Sequence, residues 1–339
     1  MTADEKLAEM PPAYFAVAMA TGIVSIAAQL LGLRTIAIAL YALNVAFYAA
    51  LWLLLLLRVL RHRARVRADL LHHGRCMGFF TTVAATCVIG SQSLVVAGLA
   101  GVALVAWGVA IALWVLVTYT IITVLTVKED KPALAEGING AWLLPAVASH
   151  AVAVLGAQLA PRLSPYAPHA LFFALVTWLG GSMLYVWIIS LIFYRYTFFT
   201  LRPNDLAPPY WINMGAAAIA TLAGATLIGA AEHSPVLGQI LPFVRGFTLF
   251  WWATATWWIP MLVILGVWRH VYKKFPLRYD PLYWGAVFPL GMYTACTVRL
   301  SQAVDAPFLL AIARPFVVVA LAAWALTLVG MLRAIRART

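Results

Sequence analysis

Charged residues are scarce in this sequence. Asp, Glu, Lys and Arg make up 10% of its 339 residues and hydrophobic residues make up 64%, whereas about 25% of the residues of soluble proteins are charged. Apolar runs of about 20 residues, the length that crosses the hydrocarbon core of a membrane, recur from end to end. The composition excludes an ordinary soluble domain and predicts an all-α integral membrane protein, with a single transmembrane domain over residues 1–339.

Carboxylates are missing from the apolar runs. All 11 Asp and Glu residues fall in predicted loops or termini. Cation channels, proton pumps and cation-coupled transporters usually keep acidic side chains within the membrane. The absence of such side chains argues against a cation as the transported species and is compatible with an anion.

Motifs of catalysis and metal binding are missing as well. The three cysteines, Cys76, Cys87 and Cys296, show neither a CxxC pair nor the His/Cys spacing of a zinc site. The sequence has no Ser-His-Asp set, no carboxylate pair and no glycine-rich phosphate loop. We therefore expect no enzymatic activity, no metal and no cofactor.

The apolar runs form a repeating pattern. We predict ten transmembrane helices at residues 12–32, 36–57, 77–97, 99–126, 140–159, 168–194, 209–230, 240–268, 282–304 and 307–332. The odd-numbered helices open with similar segments, an aromatic residue followed by small residues, and these openings are roughly 65 to 70 residues apart. This spacing predicts five tandem helical hairpins, at roughly 12–57, 77–126, 140–194, 209–268 and 282–332.

Basic residues follow the predicted loops. Of 23 Lys and Arg, all but five lie after the even-numbered helices or at the termini, the exceptions being Arg34, Arg162, Arg245, Arg299 and Arg314. Because positive loops stay cytoplasmic during insertion, we expect a multi-pass protein of the bacterial inner membrane with both termini in the cytoplasm. Topology and contact with the lipid bilayer then explain the net charge of +12, and we expect no nucleic-acid partner.

The odd and even helices differ in composition. Even helices are rich in Leu, Val and Trp, which suit lipid, whereas odd helices carry small and hydroxyl residues, which suit close packing. Either the odd helices form a tightly packed interior, or the five of them surround an axis and their polar side chains line a narrow pore. The candidates for pore lining are Thr21, Thr82, Pro145, Ser149, His150, Asn213 and Thr294.

Two prolines bear on this choice. Pro145 and Pro289 lie within predicted odd helices, where each removes one backbone hydrogen bond. A proline in a membrane span is tolerated mainly where protein or a water-filled cavity surrounds it. Both residues therefore predict kinks beside a protein-lined axis, although Pro260 in the eighth helix shows that proline is not confined to the odd set.

Three arginines, Arg245, Arg299 and Arg314, fall in the half of the predicted helices away from the cytoplasm. An arginine at the centre of a membrane costs at least about 2.5 kcal/mol, so it usually faces protein or water. These side chains could draw anions into an outer vestibule. The alternatives are snorkelling to the interface or an ion pair of Asp305 with Arg299 or Arg314.

Four segments carry a resemblance to a known family: "PAYFAVAMATGIVSI", "NGAWLLPAVASH", "PPYWINMGAAAIATL" and "YWGAVFPLGMYTACTVRL". In this order they resemble the tellurite-resistance/dicarboxylate transporter family. It includes bacterial tellurite-resistance proteins, fungal malate and sulfite transporters and the slow-type anion channels of plants. The resemblance covers nearly the whole chain.

The resemblance implies a fold and a gate. Five helical hairpins would surround a quasi-five-fold central pore, with odd helices inside, and the protein would assemble as a homotrimer with one pore per subunit. The family moves small anions such as chloride, nitrate, sulfite or malate. Its pore is closed midway by a phenylalanine that corresponds here to Phe288, directly before Pro289.

Two transport functions follow from these observations. The first is an anion channel or facilitator that moves small inorganic anions, C4-dicarboxylates such as malate, or both across the inner membrane, gated by Phe288. The second is a proton-coupled C4-dicarboxylate transporter in which His150 holds the proton, although an interhelical hydrogen bond would equally explain a histidine there. A third, different class is a membrane scaffold or sensor whose basic loop at residues 58–75 binds an acidic partner.

Overall fold

A computed structural model describes residues 2–336 of the chain, and this range is helical with no strands. Its ten long helices are α1 Ala16–Leu30, α2 Arg34–Arg61, α3 Phe80–Ala97, α4 Ala100–Val127, α5 Leu144–Leu159, α6 Ala167–Phe198, α7 Ile212–Gly229, α8 Leu241–Val267, α9 Trp284–Ala303 and α10 Leu310–Arg336. They begin and end within about four residues of the predicted ranges.

Nine helices within residues 2–336 are long and apolar enough to cross a membrane, which agrees with the predicted all-helical membrane protein. The helix that falls short is α9, which carries Thr294, Thr297 and Arg299. Protein surrounds most of α9, and of these three side chains both threonines are fully buried. A helix shielded from lipid by its neighbours does not need a continuous apolar surface. This burial is compatible with α9 as a tenth span, which stays a prediction because α9 is not among the nine.

The five odd-numbered helices pack in a closed ring. Along the chain, α1 contacts α3, α3 contacts α5, α5 contacts α7 and α7 contacts α9, and α9 returns to contact α1. The even-numbered helices lie outside this ring. In the odd helices that qualify as spans, 78% to 94% of the most apolar window is buried, against 11% to 39% in the even ones. We call the two sets the inner and outer helices.

Each inner helix begins with the same local structure. A single 3₁₀ turn precedes it, at Pro12–Phe15, Cys76–Phe79, Gly140–Leu143, Pro208–Trp211 and Pro281–Tyr283. Proline is favoured at the first helical positions because the N–H that it lacks has no partner there. The turns before α5 and α7 touch so closely that a side chain on Gly140 would overlap the backbone of Pro209. The amino ends of the inner helices are thereby held together at one end of the ring.

The two prolines of the inner helices lie in different environments. Pro145 is in the first turn of α5, so the kink that the sequence predicts there is absent, because no hydrogen bond is lost at a helix start. Pro289 lies inside α9, and its ring packs against Gly215 of α7. On the other side of α9, Gly291 admits Ile23 and Val24 of α1. Small residues therefore let α9 lie close to both neighbours.

This packing predicts the effect of enlarging Gly215. A Cβ atom at Gly215 would lie 2.7 Å from Cγ of Pro289, which is too close without a shift of α9. We expect Gly215→Ala to lower the thermal unfolding midpoint of the purified protein, by an amount equivalent to about 1 to 3 kcal/mol. Gly246→Ala in α8 is the matched control, because no described atom lies within 4 Å of its Cβ position. Equal midpoints for the two variants would contradict the close packing of α7 against α9.

Candidate functional site

The amino ends of the inner helices surround a cavity of about 840 Å³, here called the amino-end cavity. Residues from the first turns of all five inner helices line it. Its charged lining residues are balanced in sign: Arg75, Arg195, Arg202, Glu136, Asp205 and Asp280. Because helix amino ends carry a partial positive charge, five such ends around one cavity favour an anion there.

Carboxylates outside the ring hold two of these arginines in place. Nε of Arg75 lies 2.6 Å from Asp69, and the same carboxylate lies 2.6 Å from the buried Arg58. Arg195 donates from Nε to the carbonyl oxygen of Ala135 at 2.9 Å, and its Nη2 lies 3.5 Å from Asp205. The cations at this end are therefore fixed and partly neutralised, and the cavity does not hold a concentrated positive charge.

A second, much smaller cavity of about 20 Å³ lies nearer the carboxyl ends of the inner helices, and we call it the carboxyl-end cavity. All five inner helices line it as well. Among its described lining residues Arg299 is the only ionised one, and Ser91 and Gln158 add polar groups. Arg299 donates to Gln302 at 3.2 Å. Neither Arg299 nor Arg314 forms an ion pair with a carboxylate anywhere in residues 2–336.

Apolar side chains separate the two cavities. Phe288 lines the amino-end cavity, and Met292, one turn further along α9, lines the carboxyl-end cavity. Their exposed fractions are 2% and 1%. On α1 the corresponding pair is Met19 and Ile23. We call Phe288, Met292, Met19 and Ile23 the axial plug, because at this level the ring is filled by apolar side chains.

Hydrogen bonds tie each outer helix to the inner helix of the following hairpin. The five pairs are Tyr48 with Thr86 at 2.8 Å, Trp114 with Ser149 at 2.9 Å, Trp178 with the carbonyl oxygen of Ala220 at 2.8 Å, Trp252 with Thr297 at 3.0 Å, and Trp324 with Thr21 at 3.0 Å. In the four tryptophan pairs the indole N–H is the donor. The last pair joins α10 to α1, so the pattern closes on itself.

Three of the predicted pore-lining residues face outer helices in this arrangement. The hydroxyls of Thr21 and Ser149 accept hydrogen bonds from outer-helix tryptophans. The amide of Asn213 donates to the hydroxyl of Tyr196 on α6 at 3.3 Å. These hydrogen bonds therefore face the outer helices, and Oδ1 of Asn213 is buried without a partner among the described residues.

The other four predicted residues do not reach the cavities either. Thr82 and Thr294 donate to carbonyl oxygens of their own chain segment, at Phe79 and Leu290. Pro145 is in the first turn of α5. None of the seven predicted residues lines the amino-end or the carboxyl-end cavity. Whether these seven residues line a pore therefore stays a prediction.

His150 lies between helices. It is fully buried, its Nε2 is 3.4 Å from the hydroxyl of Ser182 on α6, and its ring centroid is 6.3 Å from that of Trp251 on α8. This position is the interhelical one that the sequence left open. His150 does not line the amino-end or the carboxyl-end cavity.

The three arginines predicted to attract anions lie in different environments. Arg299 lines the carboxyl-end cavity. Arg245 and Arg314 are exposed on the outer helices α8 and α10. Sequence reasoning also missed the other members of the axial plug, although the spacing of four residues between Phe288 and Met292 places them on one helix face.

Comparison with known proteins adds the family. Residues 9–332 match the family described as SLAC1, voltage-dependent anion channel. The chain belongs to this family. The resemblance read from the four segments is thereby confirmed. Proteins of this family are channels and transporters, which agrees with the expectation of a non-enzymatic protein.

Several relatives share much of the chain. A membrane protein of Mycobacterium tuberculosis is 43% identical over 149 residues, covering 44% of this chain and 75% of the relative. A transporter of Methanocaldococcus jannaschii is 25% identical over 84% of this chain and 81% of its own length. The sulfite efflux pump SSU1 of Trichophyton rubrum is 25% identical over 93% of this chain and 88% of its own length.

The hydrogen bond from Trp324 to Thr21 allows the two placements of Thr21 to be distinguished. We expect Thr21→Val and Trp324→Phe each to lower the thermal midpoint, with a coupling of about 0.6 kcal/mol in a double-mutant cycle, the average for such bonds in membrane proteins. Anion flux should stay unchanged in Thr21→Val. Trp187→Phe is the control, since this side chain is 60% exposed on α6. Altered ion selectivity in Thr21→Val with an unchanged midpoint would instead place its hydroxyl in the pore.

Proposed function

We propose that the protein is an anion channel or facilitator whose pathway runs along the axis of the inner ring and is closed by Phe288. The observation that carries this proposal is the pair of cavities, both lined by all five inner helices and separated by the axial plug. Membership of the voltage-dependent anion channel family supports it. In this proposal α9 is a tenth transmembrane span, and five hairpins surround one central pore.

The charges along this axis suit an anion. The helix amino ends favour negative charge at the larger cavity, and Arg299 does so at the smaller one. Neither the described lining of the carboxyl-end cavity nor the axial plug contains a carboxylate. An anion would thus meet attraction at both ends and a short apolar barrier between them. Apolar constrictions can gate a pore by excluding water.

The substrate class in this proposal is small inorganic anions, C4-dicarboxylates such as malate, or both. Sulfite is the first anion to test, because the Trichophyton relative is a sulfite efflux pump. The alternative of a proton-coupled dicarboxylate transporter requires a proton site on the pathway. His150, the residue that the sequence offers for it, lies at α6 and α8 instead. The geometry thus favours the facilitator.

Orientation and assembly complete the proposal. The amino-end cavity would open to the cytoplasm of a bacterium and the carboxyl-end cavity to the other side of the inner membrane. The basic residues that flank the amino ends of the inner helices support this orientation. Both termini are then cytoplasmic. A homotrimer, with one pore in each subunit, is proposed from the family resemblance.

The gate proposal predicts the outcome of truncating Phe288. Removing a buried phenylalanine ring costs about 3 to 5 kcal/mol of packing, so Phe288→Ala should weaken the closed plug. We expect anion current in planar bilayers to rise on the order of tenfold or more relative to the wild type. Phe308→Ala should leave the current unchanged, because the ring of Phe308 is 73% exposed in the 3₁₀ turn before α10. An unchanged current in Phe288→Ala would remove the gate assignment.

Arg299 gives an independent test of selectivity. Arg299 is the only ionised residue in the described lining of the carboxyl-end cavity, and neutralising it should lower the preference for anions over cations several-fold. The expected result for Arg299→Gln is a reversal potential that moves toward the cation equilibrium potential in asymmetric salt. Arg314→Gln makes the same charge change on an exposed helix position and should behave as the wild type. Identical shifts in both variants would show a general surface-charge effect and not a pathway residue.

A further inference from the structure

A third space lies away from the ring axis, at the end of α8. It is a cavity of about 220 Å³ between the last turns of α8, the 3₁₀ turn before α7 and the first turn of α9. We call it the interface cavity, and its wall includes Trp211, Leu265, Gly266, Arg269, Tyr283 and Ala286. Tyr210 also lines the amino-end cavity, so one residue layer separates the two spaces.

Arg269 is a mostly buried cation for which residues 2–336 supply no ion-pair partner. It is 9% exposed, and its Nε is buried without a hydrogen-bond partner. Within residues 2–336 its guanidinium forms neither an ion pair nor a side-chain hydrogen bond, and it stacks on the ring of Phe275 at 4.3 Å. A buried charge is stabilised by an opposite charge placed next to it. An anion that enters the interface cavity would supply the partner that Nε of Arg269 lacks.

The local backbone brings Arg269 into this position. α8 ends in a π-helical turn, Trp268–Tyr272, in which the N–H of Lys273 donates to the carbonyl oxygen of Trp268 at 2.8 Å. The chain then folds back, and the N–H of Phe275 donates to the carbonyl oxygen of Arg269 at 3.0 Å. Phe275 thus covers one face of the guanidinium. Turns of this kind are rare and occur frequently at functional sites.

The side chains around the cavity are of the types that occur at the depth of lipid headgroups. Arg269 lies in the last turn of the apolar helical stretch Leu241–Tyr272. Trp268 and Tyr272 flank it, and Nζ of Lys273 lies 5.9 Å and 5.3 Å from the centroids of their rings. Tryptophan, tyrosine and lysine are the residues that mark the boundary between the membrane core and water. An anion at this depth is most readily supplied by the bilayer itself.

We propose that the interface cavity binds an anionic phospholipid, with its phosphodiester group on Arg269. Basic pockets between helices on the cytoplasmic side of a membrane suit such headgroups. Leu262, Leu265 and Leu277 provide apolar wall for the adjoining part of an acyl chain. Free phosphate offers the same oxyanion, but it would leave this apolar and aromatic wall without contacts. The phospholipid therefore fits more of the cavity.

A lipid bound in the interface cavity would contact α9, the helix that carries Phe288. Tyr283 and Ala286 belong to its wall, and Ala286 lies two residues before Phe288 in the same helix. A lipid that holds the first turn of α9 in place biases the closed position of the plug. This consequence rests on the proposed gate function, whereas lipid binding at Arg269 does not.

Lipid binding is measured by native mass spectrometry of the detergent-solubilised full chain, titrated with phosphatidylglycerol, with phosphatidylcholine or with inorganic phosphate. We expect the wild type to bind phosphatidylglycerol about tenfold more tightly than phosphatidylcholine, because the choline ammonium of phosphatidylcholine already compensates its phosphate, whereas phosphatidylglycerol carries a net negative charge that can pair with Arg269. Arg269→Gln should lose this preference and Arg269→Lys should keep part of it. Arg278→Gln removes an exposed charge of the same loop and should keep all of it.

Three outcomes would overturn the proposal. The first is equal binding of the two lipids by the wild type. The second is an equal loss in Arg269→Gln and Arg278→Gln, which would show a diffuse surface-charge effect. The third is displacement of phosphatidylglycerol by an equal concentration of inorganic phosphate, which would assign Arg269 to a free oxyanion. None of these outcomes depends on anion transport, so failure of the lipid site and failure of the proposed function are distinguishable.

A second variant tests the position without changing the charge. Gly266 lines the interface cavity, and no described atom lies within 4 Å of its Cβ position. Gly266→Leu should therefore fold normally, occupy the cavity and lower the affinity for phosphatidylglycerol about tenfold, as Arg269→Gln does. Gly246→Leu on the same helix is equally unobstructed but remote from the cavity. Wild-type binding by Gly266→Leu would contradict the assigned location.

Discussion

The hydrogen bonds between outer and inner helices are the constraint on which the rest of the structure depends. In a membrane the hydrophobic effect does not drive helices together, so packing and interhelical polar contacts decide the arrangement. Here each outer helix contacts its own hairpin partner and also bonds to the inner helix of the next hairpin. The bond from Trp324 to Thr21 closes the cycle between the two ends of the chain. A ring rather than an open row of hairpins is the consequence.

Inner-helix hydroxyls that bond to outer helices are not available to line the axis of the ring. Because inner-helix hydroxyls such as those of Thr21 and Ser149 bond to outer helices, the axial plug between the two cavities consists of apolar residues such as Phe288. Charge is kept at the two ends, in the helix amino termini and in Arg299. The same packing that stabilises the ring thus leaves an axial plug that is apolar and free of carboxylate. Gly215 and Gly291 let α9 approach its neighbours closely enough for the ring of Phe288 to fill the space.

The positions of the helices could be predicted from the sequence, but the directions of the side chains at the candidate site could not. Apolar runs and their repeat predicted the helices, and motif resemblance identified the family, whereas the role of Phe288 stays a prediction. Side-chain direction could not be predicted for inner helices, because they are buried on every face and so lack the one-sided polarity that reveals orientation. Thr21 and Ser149 are examples: both are hydroxyl residues of the kind that can line a pore, but their side chains bond to outer helices. The interface cavity depends on a π-helical turn and on Phe275 folding back, neither of which has a sequence signal in a single chain.

The central claim is that the axis of the ring conducts anions. The most direct test is the reversal potential of purified Phe288→Ala protein in a planar bilayer with asymmetric sodium sulfite, repeated with sodium chloride and sodium malate at a fixed pH. We predict a reversal potential close to the equilibrium potential of at least one of these anions, with little dependence on a proton gradient. A reversal at the sodium or the proton equilibrium potential would contradict it.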